Sequence, residues 1–198
     1  NINKYIRYTM IGNFGNFFAL SLLFLLSGAA LPLLPVQVLL TNILTDIPLL
    51  TIATDNVSEE ELTRPSRFNV HALMFISLFL GTTTAVFEIM FYVLVRQQST
   101  AFQQTALYVF LTITGLAVIL SVRNKDHFWR APRMPRSMIL AFGLVAIASL
   151  VATFGQVGRL FSFVPLTWAV TILVALVTLA YLLVLDRIKV WFYSLRIE

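Results

Sequence analysis

The chain contains no cysteine. That one absence removes disulfides, thiolate metal sites and cysteine nucleophiles together. Histidine is nearly missing too, with only His71 and His127. Two isolated imidazoles make no zinc cluster, and neither is placed as the buried base of a serine triad. No GxxxxGK[ST] stretch occurs, so the chain lacks that loop for cradling the phosphates of ATP. Charge is also scarce: 12% of the 198 residues are charged and 59% are apolar, where soluble domains carry about 25% charged residues. With a mean hydropathy of +0.86, the composition is that of an integral membrane protein.

What is there is a series of long apolar runs. Crossing the hydrocarbon takes about 20 apolar residues per helix, and six stretches meet that length: 9–30, 33–54, 70–95, 101–122, 137–155 and 163–185. The runs are continuous rather than short and alternating, which excludes a membrane β-barrel. The expected fold is an all-α membrane protein, a bundle of six transmembrane helices in one domain spanning 1–198. Residues 1–7 are polar and the apolar run after them is long enough to span, so no cleavable signal peptide is visible. The chain starts on NINKYIRY, without Met, and reads as a fragment of something longer.

The formal net charge of +5 points to nucleic acid only if its distribution is ignored. With six alternating crossings, Lys4, Arg7, Arg64, Arg67, Arg123, Lys125, Arg130, Arg133, Arg136, Arg187, Lys189 and Arg196 fall on one side, and only Arg96 and Arg159 on the other. The positive-inside rule then places both termini in the cytoplasm. The lipid bilayer is the expected partner, and nucleic acid is not.

The connections are short. LPLLP, 31–35, suits a tight outer turn or a helix start. In DNVSEEELTRPSRFN, 55–69, Ser58 and Glu61 have capping-box spacing and predict a short surface helix ending before Pro65. The basic loop 123–136 carries His127, Phe128 and Trp129, the composition of an interfacial anchor; His71 reads as another interfacial residue. No soluble domain of useful size appears, so the spans must carry the chemistry. No catalytic residue and no bound cofactor are expected in this chain.

Inside the second run, 33–54, stand Asn42, Thr45 and Asp46. Spacings of three and four put an amide, a hydroxyl and a carboxylate on one side of a helix. An Asp at mid-membrane costs about 2.5 to 3.5 kcal/mol on insertion scales, which argues that it faces a cavity or an ion. In the first run, GNFGN sets Asn13 and Asn16 on one face, with Gly12 and Gly15 reducing bulk for a close helix approach. Amide oxygens are neutral ligands for hard cations; inter-helix hydrogen bonding is the plainer use. Pro48 leaves the Leu44 carbonyl without its helical donor, an added oxygen near Asp46 or a simple kink. Glu88, in the third run, is the other acid at membrane depth: it could complete a cation site, relay protons or pair with a neighbouring helix. The candidate metal ligands are thus Asn13, Asn16, Asn42, Thr45 and Asp46, with Glu88 a further candidate.

The stretches KYIRYTMIGNFGNFF, LLPVQVLLTNILTDIP and ATDNVSEEELTRPSRFN together resemble the C-terminal membrane region of P-type cation-transporting ATPases. GTTTAVFEIMFYVL resembles the seventh helix of magnesium-transporting members. The resemblance implies that the six runs are helices five to ten, with Asn13 and Asn16 at fifth-helix ligand positions and Asn42, Thr45 and Asp46 at sixth-helix ones. This chain has Asn16 where the reticulum-type calcium pumps carry Glu. One Asp with several amides also suits Mg²⁺, which keeps much of its water, better than Ca²⁺, which takes six to eight oxygens. The resemblance therefore implies the membrane domain of an ATP-driven pump in a prokaryotic plasma (inner) membrane, with Mg²⁺ as the transported ion. ATP and its Mg²⁺ would act only in cytoplasmic domains which, like the first four helices, lie outside this chain. A Ca²⁺ or proton pump domain, or a stand-alone six-helix channel, secondary transporter or scaffold, are the alternatives.

Overall fold

The computed structural model describes residues 2–27, 30–56 and 70–194. Among them are seven α-helices: α1 Ile2–Leu26, α2 Pro35–Leu50, α3 Val70–Val95, α4 Thr100–Val122, α5 Arg136–Val151, α6 Gly155–Leu160 and α7 Trp168–Ser194. The proposed cap at Ser58 and Glu61 lies outside the described residues.

Five helical segments are long and apolar enough to cross a membrane: those within α1, α3, α4 and α7, and α2 together with the 3-10 turn Thr51–Thr54 that continues it. α5 has only 16 residues, a rise of about 24 Å against a hydrocarbon core of about 30 Å. Hydrogen bonds at its start and beyond its end tie this part of the chain to both ends of α2. At its start Ser137 shares a hydrogen bond of 3.1 Å with Thr54; beyond its end the carbonyl of Phe161 accepts 2.9 Å from the Gln37 amide, at the opposite end of α2.

α4 is the central helix. Sixteen of its residues are buried, and α1, α2, α3, α5 and α7 all pack on it. The outer helices turn large apolar side chains outward instead: Leu25, Phe75, Leu140 and Leu176 are exposed. In lipid that costs nothing, which is why these helices are apolar all round.

Helices α1 and α3 cross closely because glycine faces helix on both sides. A Cβ on Gly15 would lie 2.8 Å from Thr84, and one on Gly81 would lie 2.8 Å from the Cβ of Phe14. Small residues at such a crossing let backbones approach and gain dispersion contacts that lipid cannot supply. α1 and α2 are different neighbours: each packs on α4, and they hardly touch each other.

One end of the bundle is stitched by buried charge. Asp55, just after α2, takes a two-pronged bond from Arg123 at the end of α4, with Nε to Oδ2 at 3.0 Å, and Lys4 of α1 reaches it at 3.4 Å. On α7, Asp186 accepts from Lys189 at 2.8 Å, from the Phe128 amide at 3.0 Å and from the Ser121 hydroxyl at 3.2 Å, while its other oxygen meets His127 Nδ1 at 2.7 Å. Lys189, fully buried, also donates to the carbonyls of Ser121 and Asp126. The basic loop is therefore more than an interfacial anchor, since His127 and Phe128 are bound to α7. Trp129 stays exposed and stacks on His127.

Candidate functional site

α2 starts where the sequence dictates. Pro35 occupies its first turn, and the Gln37 side chain accepts the orphan Leu34 amide at 3.0 Å while its own amide holds Phe161. This start fixes the rotation of the helix. Gln37, Thr41, Thr45, Pro48 and Leu49 are buried, whereas Asn42 and Asp46, one turn apart, are exposed on the outer side.

Thr45 points the other way. Its hydroxyl donates to the carbonyls of Thr41 (3.0 Å) and Asn42 (3.2 Å). It abuts α4 where Gly115 leaves room: a Cβ on that glycine would lie 2.9 Å from the Thr45 methyl and 3.5 Å from the Tyr8 hydroxyl. The Tyr8 hydroxyl thus lies beside Thr45 at this gap, and Tyr8 is in electrostatic range of Asp46. Pro48 is buried inside α2, and the 3-10 turn follows two residues beyond it.

On α1, Asn13 is exposed and Asn16 half-buried. Gly12 has nothing within 4 Å of where a Cβ would stand, unlike Gly15. So the two glycines of GNFGN divide their work, one seating α3 and the other leaving an open face beside Asn13. The structure thus puts Asn13, Asn42 and Asp46 on exposed faces of two helices that do not pack on each other, and Thr45 in the interior between α2 and α4.

Glu88 is elsewhere. It is buried on α3, and neither carboxyl oxygen has a hydrogen-bond partner among the described residues. No three His, Cys, Asp or Glu side chains come together around a metal-sized space among the described residues. The contacts that sequence spacing missed are long-range: Gln37 to Phe161, Gln104 to the Leu31 carbonyl, and the charge clusters at Asp55 and Asp186. A signal was visible only for Asp186 and Lys189, three apart on one helix face near its end.

Apolar helices exposed to lipid, a glycine-seated crossing and a charged end define an integral membrane helical domain with a polar face left open on α1 and α2. Comparison with known proteins gives the family. The chain belongs to the cation-transporting ATPase C-terminal family, whose model matches residues 30–191. It is 30% identical over 202 residues to a magnesium-transporting ATPase, P-type 1, of Salmonella typhimurium strain LT2, covering 92% of this chain and 21% of that protein. The protein of the same description from Escherichia coli K12 is also 30% identical over 92% of this chain, which covers 22% of it. A putative cation-transporting ATPase of Methanocaldococcus jannaschii is 26% identical over 95% of the chain and 23% of that protein. The chain thus spans about a fifth of the length of the relatives it matches.

Proposed function

We propose that this chain is the helix-five-to-ten membrane domain of an ATP-driven P-type pump and that the pump transports Mg²⁺. The observation that carries the reading is the open polar face. Asn42 and Asp46 on α2 and Asn13 on α1 are exposed within segments long and apolar enough to cross a membrane, where lipid offers them nothing and a cation or further helices would. Asp46 neutralises part of the ion's charge; Asn13, Asn16 and Asn42 add neutral oxygens. Thr45 serves from behind, holding α2 against α4 and Tyr8.

The donor set favours Mg²⁺ over Ca²⁺. A single carboxylate with amides suits an ion that keeps several waters, and among the described residues no acidic cluster supplies the six to eight oxygens of a Ca²⁺ shell. The magnesium-transporting relatives support the same choice. The charged end, with Lys4, Arg123, Lys189 and the basic loop, is cytoplasmic by the positive-inside rule, and α5 makes the sixth crossing. The membrane is the plasma (inner) membrane of a prokaryote. Phosphorylation by ATP belongs to other domains of the same pump, whose movements open this face to alternate sides.

Cation-stimulated ATP hydrolysis by the complete, reconstituted pump tests the proposal. Stimulation by Mg²⁺ beyond that needed to complex ATP, together with Mg²⁺ uptake into vesicles, is the expected result. Uptake of Ca²⁺ in preference to Mg²⁺ would refute the ion assignment, and absence of ATP-dependent uptake of any cation would refute the pump.

A further inference from the structure

Glu88 has no role in the face just described. It is 1% exposed, and both its oxygens lack partners among the described residues. One turn earlier on α3, Thr84 shares a hydrogen bond of 2.8 Å with the hydroxyl of Tyr181 on α7. Of the helices packed on α3, α7 brings Tyr181 within electrostatic range of Glu88. The charged side chains of α1 are Lys4, which reaches Asp55, and Arg7, which lies over the Tyr193 ring, and the sequence of α4 holds no charged residue. The lysine of α7 at the charged end, Lys189, is committed to Asp186 and two carbonyls.

A carboxylate removed from water without a partner costs several kcal/mol, so this surrounding accommodates the neutral acid. It does not accommodate a metal ion, which would need several convergent oxygens. One proton satisfies it.

We propose that Glu88 is a proton-binding site of the transport cycle, loaded in the conformation described here and discharged when α3 and α7 separate enough to admit water. Thr84 and Tyr181 join α3 to α7 one turn from Glu88, at the seam where that water would enter. The net change on discharge is Glu88–COOH plus water to Glu88–COO⁻ plus H₃O⁺ on the side to which water is admitted, and reloading takes one proton from water on the opposite side of the membrane.

The transport part of this proposal rests on the pump reading, whereas the protonation part does not. Infrared difference spectra of the complete protein at neutral pH, parent minus Glu88→Gln, read the C=O stretch of a protonated carboxylic acid. Loss of that band in Glu88→Gln and its displacement in Glu88→Asp are expected; a spectrum that neither variant changes overturns the proposal. In proteoliposomes with an entrapped pH dye, the number of protons moved per ATP hydrolysed should fall to background in Glu88→Gln. An unchanged ratio overturns the transport role; where Glu88→Gln hydrolyses no ATP the ratio is read in Glu88→Ala, in which the same fall is expected and an unchanged ratio again overturns it, with Glu88→Asp expected to restore proton movement. Were the pump reading itself wrong, the parent would show no cation-stimulated hydrolysis while the infrared band still reported on Glu88.

Discussion

Arg123 holds Asp55 with both prongs of its guanidinium, and the two residues close the end of α4 over the end of α2 with almost no exposure of either. Burying an ion pair is a poor source of net stability, but removing one partner is expensive because the survivor stays buried and charged. Arg123→Met should therefore destabilise the protein by about 3 kcal/mol, with Lys4 at 3.4 Å from Asp55 limiting the loss. Arg123→Lys should fall between, since an ammonium cannot reproduce the fork. Thermal unfolding in detergent checks the order. Equal stability of Arg123→Met and the parent would mean that the pair does not form.

Asp186 and Lys189 make the companion case on α7. Lys189→Met leaves a carboxylate bound, among the described residues, by His127, Ser121 and the Phe128 amide, and deprives the carbonyls of Ser121 and Asp126 of their Lys189 donor. A loss of about 3 to 5 kcal/mol is expected. Asp186→Asn combined with Lys189→Met should cost less than the sum of the two single changes, because the second substitution no longer strands a charge. Additive losses in a double-mutant cycle would show that the two side chains act independently.

These two clusters explain which parts of the fold could be read in the chain alone. The third apolar run, 70–95, ends where α3 ends, at Val95, because the polar residues Arg96 to Ser99 that stop it follow directly in the sequence. α1 begins at Ile2 rather than at residue 9 because the polar turn KYIR is tied to Asp55, 51 residues away. α7 likewise runs on past residue 185 to Ser194, since Asp186 and Lys189 pair with each other and are hydrogen-bonded by a loop some sixty residues earlier in the chain. At the candidate site, a spacing of four was enough to put Asn42 and Asp46 on one face. The inward direction of Thr45 was not legible, because it depends on the gap at Gly115, on another helix.

Gly81 tests the close crossing of α1 and α3. An alanine there brings its methyl within 2.8 Å of the Phe14 Cβ and 3.1 Å of the Gly15 backbone nitrogen, groups that cannot swing away. Gly81→Ala should cost about 1 to 3 kcal/mol as overpacking. Gly143→Ala on α5, with nothing within 4 Å, should instead gain up to about 1 kcal/mol from helix propensity. Melting temperatures that move the same way in both variants would contradict the crossing.

Asp46 and Thr45 are adjacent in sequence and opposite in placement, and this separates ligand from support. If the open face binds the cation, Asp46→Asn removes its one charge and should raise the cation concentration for half-maximal ATP hydrolysis in the complete pump by about tenfold or more, a change of about 1.4 kcal/mol or more. Asn42→Ala, which deletes a neutral oxygen on the same face, should produce a smaller rise in the same quantity. Thr45→Val keeps the shape against Gly115 and removes a hydroxyl whose donor bonds run to its own helix; it should leave cation activation least affected of the three and act mainly on stability. The predicted order is Asp46→Asn, then Asn42→Ala, then Thr45→Val. A cation dependence disturbed most by Thr45→Val would move the ion from the open face to the interior between α2 and α4, where the Tyr8 and Thr45 hydroxyls meet.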